Sequence, residues 1–589
     1  MSPMRYTLIP QDPQAHQFGG RLELDRPDPS GQRLSLPAWI PGSYMIRDFA
    51  RHVVSLEAWS GEAPVRVEKL DKDTWRCEPC AGPLQVRWQV YAWDPSVRAA
   101  ALDDTGGFCN GSSVFLRPLG IEDGPFELLI EAPATPVRGH WRVATTMEAQ
   151  AVDADGWGRY RAGDYEELID HPIRFGEFTR FGFEVAGVPH EIVLSGAPRV
   201  DRERLCADLA AVCRAHIDLF GELPVDRYVF FMNVVGSGYG GLEHRSSTVL
   251  DVAREALPLS GDPADREPYL ELLGLCSHEY FHLWNVKRIR PAAFVPFDLS
   301  REVHTTLLWA FEGFTSYYDD LGLRRAGRLT HEQYLQRLAG VITRVHRGAG
   351  RFRQTVLESS FDAWTRFYKQ DENAPNAIVN YYAKGALIAL ALDLTIRGRT
   401  DGARSLDDVM RLLWARYGDG AGIDERGIES VAGEATGLDL DTFFDTALRS
   451  TQDLDLEALL RPCGIELRWQ VPQPGAGYVP ALGASVEAAA ELPRIARVFD
   501  GGPARAAGIA PGDRVIAVDG VHLRGEALAK WLARLPAGTA IAMHVLRGDR
   551  LHELAVALQP PPADAAELVI VDRSGDTAVR HRAAWLDGV

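Results

Sequence analysis

The chain has 589 residues, of which 46% are hydrophobic and 24% are charged, and its formal net charge is −18. One hydrophobic core does not grow to this size, so the length predicts about three or four domains. The acidic surplus argues against a nucleic-acid-binding protein, which usually carries excess positive charge. No stretch has the length and apolarity of a signal peptide or a membrane span, and seven cysteines are too few for a disulfide framework. We therefore expect a soluble, cytoplasmic protein.

Residues 1–166 are predicted to form an N-terminal antiparallel β domain, either a sandwich or a saddle. Short runs of alternating polar and apolar residues, such as 84–91 and 126–131, are separated by Pro, Gly and Asp turns. One island, from Trp39 to Tyr44 (WIPGSY), stands out from this pattern. These residues alone do not assign any chemistry to the island.

From residue 167 to residue 455 the pattern changes to mixed α/β and then to helices. A helix is predicted over 202–220 and a buried strand over 227–235. The strand runs into Gly236, Gly238 and Gly241, which have the spacing G-x-G-x-x-G. A dinucleotide-binding loop with that spacing opens a helix, whereas residues 246–252 favour another strand. A glycine-rich turn into an edge strand is therefore the better interpretation.

The motif H-E-x-x-H, formed by His278, Glu279 and His282, lies in an apolar run that predicts a buried helix over 269–284. Residues four apart lie on the same face of a helix, so the two imidazoles can bind one zinc ion. Glu279 would then lie beside them as a base for the attacking water. The alternative is a core helix whose two histidines are bonded to protein groups.

A second apolar helix is predicted over 305–323, and it contains the carboxylate of Glu312. Burying a carboxylate without a partner is costly, and metal binding would remove that cost. Glu312 therefore favours the zinc interpretation of the histidine motif.

Residues 456–589 are predicted to form a third unit that ends in a tail. Strands are expected over 494–499 and 540–547 and a helix over 527–535, with a linker at 472–477.

The chain resembles the glycyl aminopeptidase family of gluzincin zinc metallopeptidases, in its PDZ-containing form. The motifs that carry the resemblance follow the family's order along most of the chain: 39–44 (WIPGSY), 240–244 (GGLEH), 278–282 (HEYFH), 284–288 (WNVKR), 312–315 (EGFT) and 382–385 (YAKG). The third unit resembles a PDZ domain of the bacterial protease type at 508–513 (GIAPGD).

The resemblance implies a multidomain α+β fold. The N-terminal β domain would be followed by a thermolysin-like catalytic domain at 167–455, with a mixed sheet and a helical C-terminal part, and by a PDZ domain at 456–589. It also implies one zinc ion, with His278, His282 and Glu312 as its ligands.

The same resemblance implies roles for the other site residues. Glu279 is the base and Tyr382 donates its hydroxyl to the developing oxyanion. Glu243 binds the free α-amino group of the substrate, while Gly240 and Gly241 hold the substrate backbone as an added strand.

The resulting hypothesis is a zinc-dependent aminopeptidase that removes small N-terminal residues, Gly or Ala by resemblance, from peptides. One alternative is a PDZ-tethered zinc endopeptidase. Another, less favoured because the ligands and Glu279 are all present, is a non-catalytic PDZ adaptor. The PDZ domain would either bind peptide C-termini, with Ala481-Leu482-Gly483 as the carboxylate loop, or only pack against the catalytic part.

Overall fold

The computed structural model describes residues 4–121, 124–196, 198–472, 477–487, 492–524, 527–571 and 575–588. The chain divides into two compact units. The first runs to Val303 and includes Ala326–Arg328 and Leu413–Asp424, and the second contains the remainder. Among the described residues, no helix is long and apolar enough to cross a membrane. The predicted domain boundaries at 166 and 455 stay predictions.

The N-terminal part of the first unit is built from β-sheets, as predicted. The largest sheet has eight strands, in the order Glu148–Val152, Gly158–Ala162, Phe126–Ile130, Met4–Asp12, Gln17–Leu24, Leu84–Tyr91, Val53–Ser60 and Ala63–Val65. Two four-stranded sheets accompany it: Arg142–Thr145, Ile173–Gly176, Gly106–Cys109 and Ala100–Asp103, and Arg117–Pro118, Arg33–Ser35, Thr74–Cys77 and Val67–Lys69. One pairing, between Met4–Asp12 and Phe126–Ile130, is parallel, so the domain is not purely antiparallel.

A five-stranded mixed sheet follows in the same unit. Its order is Thr179–Val185, Val188–Ser195, Tyr228–Val235, Ser247–Ala253 and Tyr239–Glu243. The central strand is buried along most of its length because all its residues except Asn233 are β-branched, aromatic or otherwise apolar. The glycine-rich stretch leads into the edge strand Tyr239–Glu243, not into a helix, which confirms the interpretation against a dinucleotide loop.

The helices of the first unit are Tyr165–Ile169, Arg202–Phe220 and Glu267–Phe281. The second has the predicted bounds. The third ends three residues earlier than predicted, because Leu283 and Trp284 donate to the carbonyls of Tyr280 and Phe281, three residues back, and this tightens the last turn. His282 is the C-cap residue of this helix and keeps helical backbone angles, so the spacing of the two histidines is preserved.

The second unit begins with helices. They are Leu308–Phe311, Gly313–Arg325, His331–Arg347, Val356–Phe361, Ala374–Ala377, Tyr381–Arg399, Leu406–Tyr417 (whose end belongs to the first unit), Gly427–Thr436, Asp441–Arg449 and Leu456–Leu460. The single helix predicted over 305–323 is wrong. The structure divides it at Glu312, the C-cap of Leu308–Phe311, after which Gly313–Arg325 begins.

Two glycines let the helices Gly313–Arg325 and Tyr381–Arg399 touch backbone to backbone. A methyl group added to Gly313 would lie 2.5 Å from the Cα of Gly385, and one added to Gly385 would overlap the carbonyl of Trp309. Gly313 follows Glu312, and Gly385 lies one helical turn after Tyr382. The crossing therefore sets how closely Tyr382 approaches Glu312.

The PDZ part of the second unit is a six-stranded sheet with two short helices. The strands, in sheet order, are Gly477–Val479, Ala484–Glu487, Arg494–Val498, Arg514–Val518, Ala540–Arg547 and Arg550–Ala557, and the helices are Pro503–Ala506 and Ala527–Leu532. The tail adds the strand Ala565–Ile570, which pairs with Ile465–Gln470, and the helix Asp576–Leu586. Residues 473–476 of the predicted linker lie outside the described residues.

We expect Gly385→Ala to destabilise the protein, although alanine favours a helix by about 0.5–1 kcal/mol over glycine. The added methyl must push two helices apart, at a cost of about 1–3 kcal/mol. Gly398→Ala, near the end of the same helix, is the control because no atom lies within 4 Å of its added methyl. Thermal unfolding should show a lower midpoint for Gly385→Ala and an unchanged or higher one for Gly398→Ala. Equal shifts would contradict the close crossing.

Candidate active site

The two histidines of the motif are presented on one side of their helix. Their ring centroids lie 4.8 Å apart. One ring nitrogen of His278 and one of His282 lie within 4.8 Å of each other. The Nδ1 of His282 lies 2.7 Å from the carbonyl oxygen of Asn285. Because a carbonyl only accepts, Nδ1 carries the proton, and the lone pair of Nε2 is left for a metal ion.

The edge strand Tyr239–Glu243 lies against this helix. A methyl group on Gly241 would overlap the carboxylate of Glu279, so only glycine permits this approach. Carboxylate oxygens of Glu243 and Glu279 and a ring nitrogen of His282 all lie within 4.8 Å of one another. The structure thus brings together the predicted base and the predicted amine-binding carboxylate.

Glu243 is 4% exposed, and its Oε1 has no hydrogen-bond partner among the described residues. A buried carboxylate oxygen without a partner is costly, and a second carboxylate nearby adds repulsion. The arrangement is therefore suited to a cation, either a metal ion or a protonated amine, placed between these groups.

The island 39–44 forms a wall of the Glu243 environment. Gly42 has a φ of 93°, and a methyl group there would lie 2.5 Å from Oε1 of Glu243. The island is held in place because Trp39 donates its Nε1–H to the carbonyl of Asp298 at 2.9 Å. Tyr44 stacks on Phe294 with ring centroids 5.8 Å apart. The island therefore places the backbone of Gly42 directly against the Glu243 carboxylate.

Asp170 anchors the end of the edge strand. Its carboxylate accepts from Nδ1–H of His244 at 3.0 Å, from N–H of Arg245 at 2.9 Å and from the Lys287 ammonium at 2.8 Å. Burial by itself would raise the pKa of Asp170, but the charge of Lys287 and the His244 bond hold that pKa well below its usual range. Asp170 therefore joins the residue after Glu243 to the segment that follows the histidine helix.

Arg98, from the N-terminal β domain, also reaches the edge strand. Its Nη2–H donates to the carbonyl of Gly241 at 3.3 Å. This fixes the backbone at the position where the sequence predicts that a substrate strand is held.

In the second unit, Glu312 is 2% exposed and Tyr382 is partly exposed. Burial, the Glu312 carboxylate and the Tyr368 hydroxyl raise the pKa of Tyr382 well above that of free tyrosine. The hydroxyl of Tyr382 is therefore protonated at neutral pH and is a hydrogen-bond donor. It lies 3.2 Å from the hydroxyl of Tyr368, and the ring of Phe367 stacks on its ring at 5.5 Å.

Three family models match the chain: a peptidase M61 N-terminal domain at residues 5–177, an M61 glycyl aminopeptidase domain at 271–388 and a PDZ domain at 480–558. The crystal structure of an aminopeptidase N family protein from Idiomarina loihiensis is 38% identical. It covers 99% of this chain and 100% of its own, with a TM-score of 0.95. The chain belongs to the M61 glycyl aminopeptidase family.

This member of the family is a metallopeptidase, so the predictions of a peptidase and of a metal cofactor are confirmed. The histidine pair, with Nδ1 of His282 engaged by a carbonyl, fits a bound metal ion. Two more distant likenesses were found. An M1 zinc metallopeptidase from Deinococcus radiodurans is 14% identical, covers 77% of this chain and 94% of its own, and has a TM-score of 0.46. Legionella pneumophila aminopeptidase A is 14% identical, covers 76% of this chain and 49% of its own, and has a TM-score of 0.48. A comparison with curated proteins found no match.

Sequence reasoning on this peptidase missed Gly42, Arg98, Asp170 and Tyr368. Gly42, Arg98 and Asp170 lie more than 60 residues before the strand Tyr239–Glu243, so only tertiary contacts show that they support it. Gly42 had a local signal, a glycine in an aromatic-flanked Pro-Gly turn, which often requires a positive φ.

We expect Asp170→Asn to lower the free energy of unfolding by about 3 kcal/mol at pH 7, because it leaves the Lys287 ammonium buried beside a neutral amide. The folded pKa of Asp170 is depressed, so its contribution is complete above the unfolded pKa of about 3.9 and is lost as the pH falls below it. Urea unfolding at pH 7 and pH 3 should therefore show a smaller difference at pH 3. The control is Asp218→Asn, an exposed partner of Arg214. If the difference in unfolding free energy between the unmodified protein and Asp170→Asn were the same at both pH values, the depressed pKa of Asp170 would be contradicted.

Proposed function

We propose that this protein is a zinc-dependent aminopeptidase that removes a small N-terminal residue, glycine or alanine, from peptides. In this proposal His278, His282 and Glu312 hold one zinc ion. When bound, the zinc supplies Lewis-acid activation of the attacking water and of the peptide carbonyl. The preference for glycine rests on the family description, and alanine is included because of the resemblance of the sequence to that family.

The observation that carries the proposal is the buried Oε1 of Glu243, which lacks a protein partner among the described residues. An α-ammonium group would supply the missing donor and the missing positive charge in a charge-assisted bond. An internal peptide bond has no such group, so this carboxylate favours an aminopeptidase over the PDZ-tethered endopeptidase.

The other residues have roles that follow from their chemistry. Glu279 takes a proton from the attacking water and passes it to the leaving amine. Tyr382 donates its hydroxyl to the oxyanion, a contribution of about 3 kcal/mol per donor in such sites. Gly240 and Gly241 pair with the substrate backbone on the open edge of the five-stranded sheet, and glycine at 241 leaves room for Glu279.

The first experiment measures hydrolysis of Gly- and Ala-peptides with free and with acetylated N-termini. We expect cleavage of the free peptides only, loss of activity with a chelator and recovery with zinc. Glu279→Gln should lower kcat at least 100-fold. The control on the same helix is Glu271→Gln, because Glu271 is exposed and its change should not affect kcat.

Glu243→Gln should reduce kcat/KM about 30-fold, equivalent to about 2 kcal/mol, for the free peptides. Equal cleavage of acetylated peptides would overturn the proposal in favour of an endopeptidase.

The second experiment tests the wall formed by the island. Gly42→Ala places a methyl group against the Glu243 carboxylate, so the KM for peptides with a free N-terminus should rise about tenfold, a loss of about 1.4 kcal/mol in binding. Gly61→Ala is the matched control, since Gly61 also has a positive φ (61°) but no atom within 4 Å of the added methyl. Both variants carry backbone strain, and only Gly42→Ala should change KM. An unchanged KM in Gly42→Ala would separate the island from substrate binding.

A further inference from the structure

PDZ domains bind a peptide as an extra strand on a sheet edge, with the peptide's C-terminal carboxylate held by loop amides. In this chain the strand Ala484–Glu487 follows the predicted carboxylate loop. One of its edges pairs with Arg494–Val498, and the other pairs antiparallel with Gly477–Val479, with Tyr478 opposite Ser485. Both edges of this strand are therefore taken by the chain itself. We name Gly477–Val479 the internal strand.

Val479 occupies the position of a ligand's last residue. Its carbonyl oxygen accepts the amide hydrogens of Leu482 and Gly483, each at 3.0 Å. These are amides of the loop that the sequence predicts for a terminal carboxylate. The Val479 side chain is 2% exposed and belongs to the same buried cluster as Leu528 and Leu532 of the neighbouring helix. The internal strand thus fills both the polar and the apolar parts of the groove.

Contacts beyond the groove hold the internal strand in place. The Tyr478 hydroxyl donates to Asp564 at 3.1 Å, and Asp564 is paired with Arg347 at 3.0 Å. The Arg347 guanidinium lies 4.0 Å from the centroid of the Tyr478 ring, and Phe499 contacts that ring edge-on. Arg347 ends the helix His331–Arg347, so the strand is also attached to the helical part of its unit.

The internal strand lies outside the part of the chain that is common to PDZ domains. The PDZ family model begins at Pro480, one residue after Val479. The internal strand therefore lies immediately before the residues that the PDZ family model matches.

We propose that the internal strand is a built-in ligand that closes the PDZ groove. A partner peptide binds this groove only after the internal strand leaves. The matching partner has a free C-terminal carboxylate, an aliphatic last residue and an aromatic residue before it, because those are the features that Val479 and Tyr478 supply. Displacement breaks the Tyr478–Asp564 bond and separates the Tyr478 ring from the Arg347 guanidinium.

The test uses the full-length protein and a peptide ending in Gly-Tyr-Val with a free carboxylate. Fluorescein blocks the N-terminus of the peptide, so that peptidase activity cannot degrade it. Val479→Glu should expel the internal strand, because a carboxylate cannot stay in an apolar cluster. Fluorescence anisotropy should then show at least tenfold tighter binding to Val479→Glu than to the unmodified protein. The same peptide with an amidated C-terminus should not bind.

The matched control is Val471→Glu, which makes the same change at a residue that is 50% exposed shortly before the internal strand. It should bind the peptide no better than the unmodified protein does. Hydrogen exchange on the unmodified protein provides a second readout that needs no variant. The amides of Leu482 and Gly483 should be protected without peptide, lose protection in Val479→Glu and regain it when the peptide is added.

Two results would overturn the proposal. The first is binding of the peptide to the unmodified protein with the affinity seen for Val479→Glu. The second is a folded Val479→Glu protein that binds no peptide. If Val479→Glu does not fold, unprotected Leu482 and Gly483 amides in the unmodified protein overturn the proposal and protected amides support it. None of these results depends on the catalytic site, so they are separate from the test of aminopeptidase activity.

Discussion

The site depends on two carboxylates that the fold buries close together. Glu243 and Glu279 hold carboxylate oxygens within 4.8 Å of a nitrogen of His282, and Glu243 is almost fully buried. A fold tolerates such a cluster only if a cation completes it or if other interactions offset its cost. The surrounding structure supplies those interactions: Asp170 anchors the strand that carries Glu243, and Arg98 fixes the carbonyl of Gly241. In the proposed function, the ammonium group of a substrate N-terminus completes this cluster.

Four glycines in this protein are places where two parts of the chain come close. Gly241 leaves space for Glu279, Gly42 leaves space for Glu243, and the pair Gly313 and Gly385 lets two helices cross. In each case a single methyl group would overlap a side chain or a backbone atom. These glycines lie within or beside the motifs that identify the family, so the motifs encode spacing as well as chemistry.

The PDZ part has a different relation to its motif. The amides of Leu482 and Gly483, in the predicted carboxylate loop, donate to the carbonyl of Val479. The domain can therefore have the fold of a peptide-binding module while its ligand edge is filled from within. Tyr478, Asp564 and Arg347 connect that edge to the helical part. The same contacts therefore hold both the internal strand and the packing of this unit.

Much of the molecule follows from its sequence. Alternation and apolar runs determined the strand Leu84–Tyr91 and the helix Arg202–Phe220, because local periodicity reports which face of an element is buried. The histidine spacing determined that His278 and His282 share a face, because four residues are about one helical turn. The sequence does not show the break between two helices at Glu312. The apolar residues continue through this position, and the backbone hydrogen bonds change only slightly there.

Tertiary structure alone decided what surrounds those residues. No local pattern relates Gly42 to Glu243, Arg98 to Gly241 or Asp170 to Lys287, because each pair is separated by more than 100 residues and meets only after the sheets have formed. The same holds for the internal strand at 477–479: its sequence permits a strand, but only the tertiary structure pairs it with Ala484–Glu487. The sequence thus determined which residues can do chemistry, and the fold decided which of them lie together, because long-range packing sets those distances.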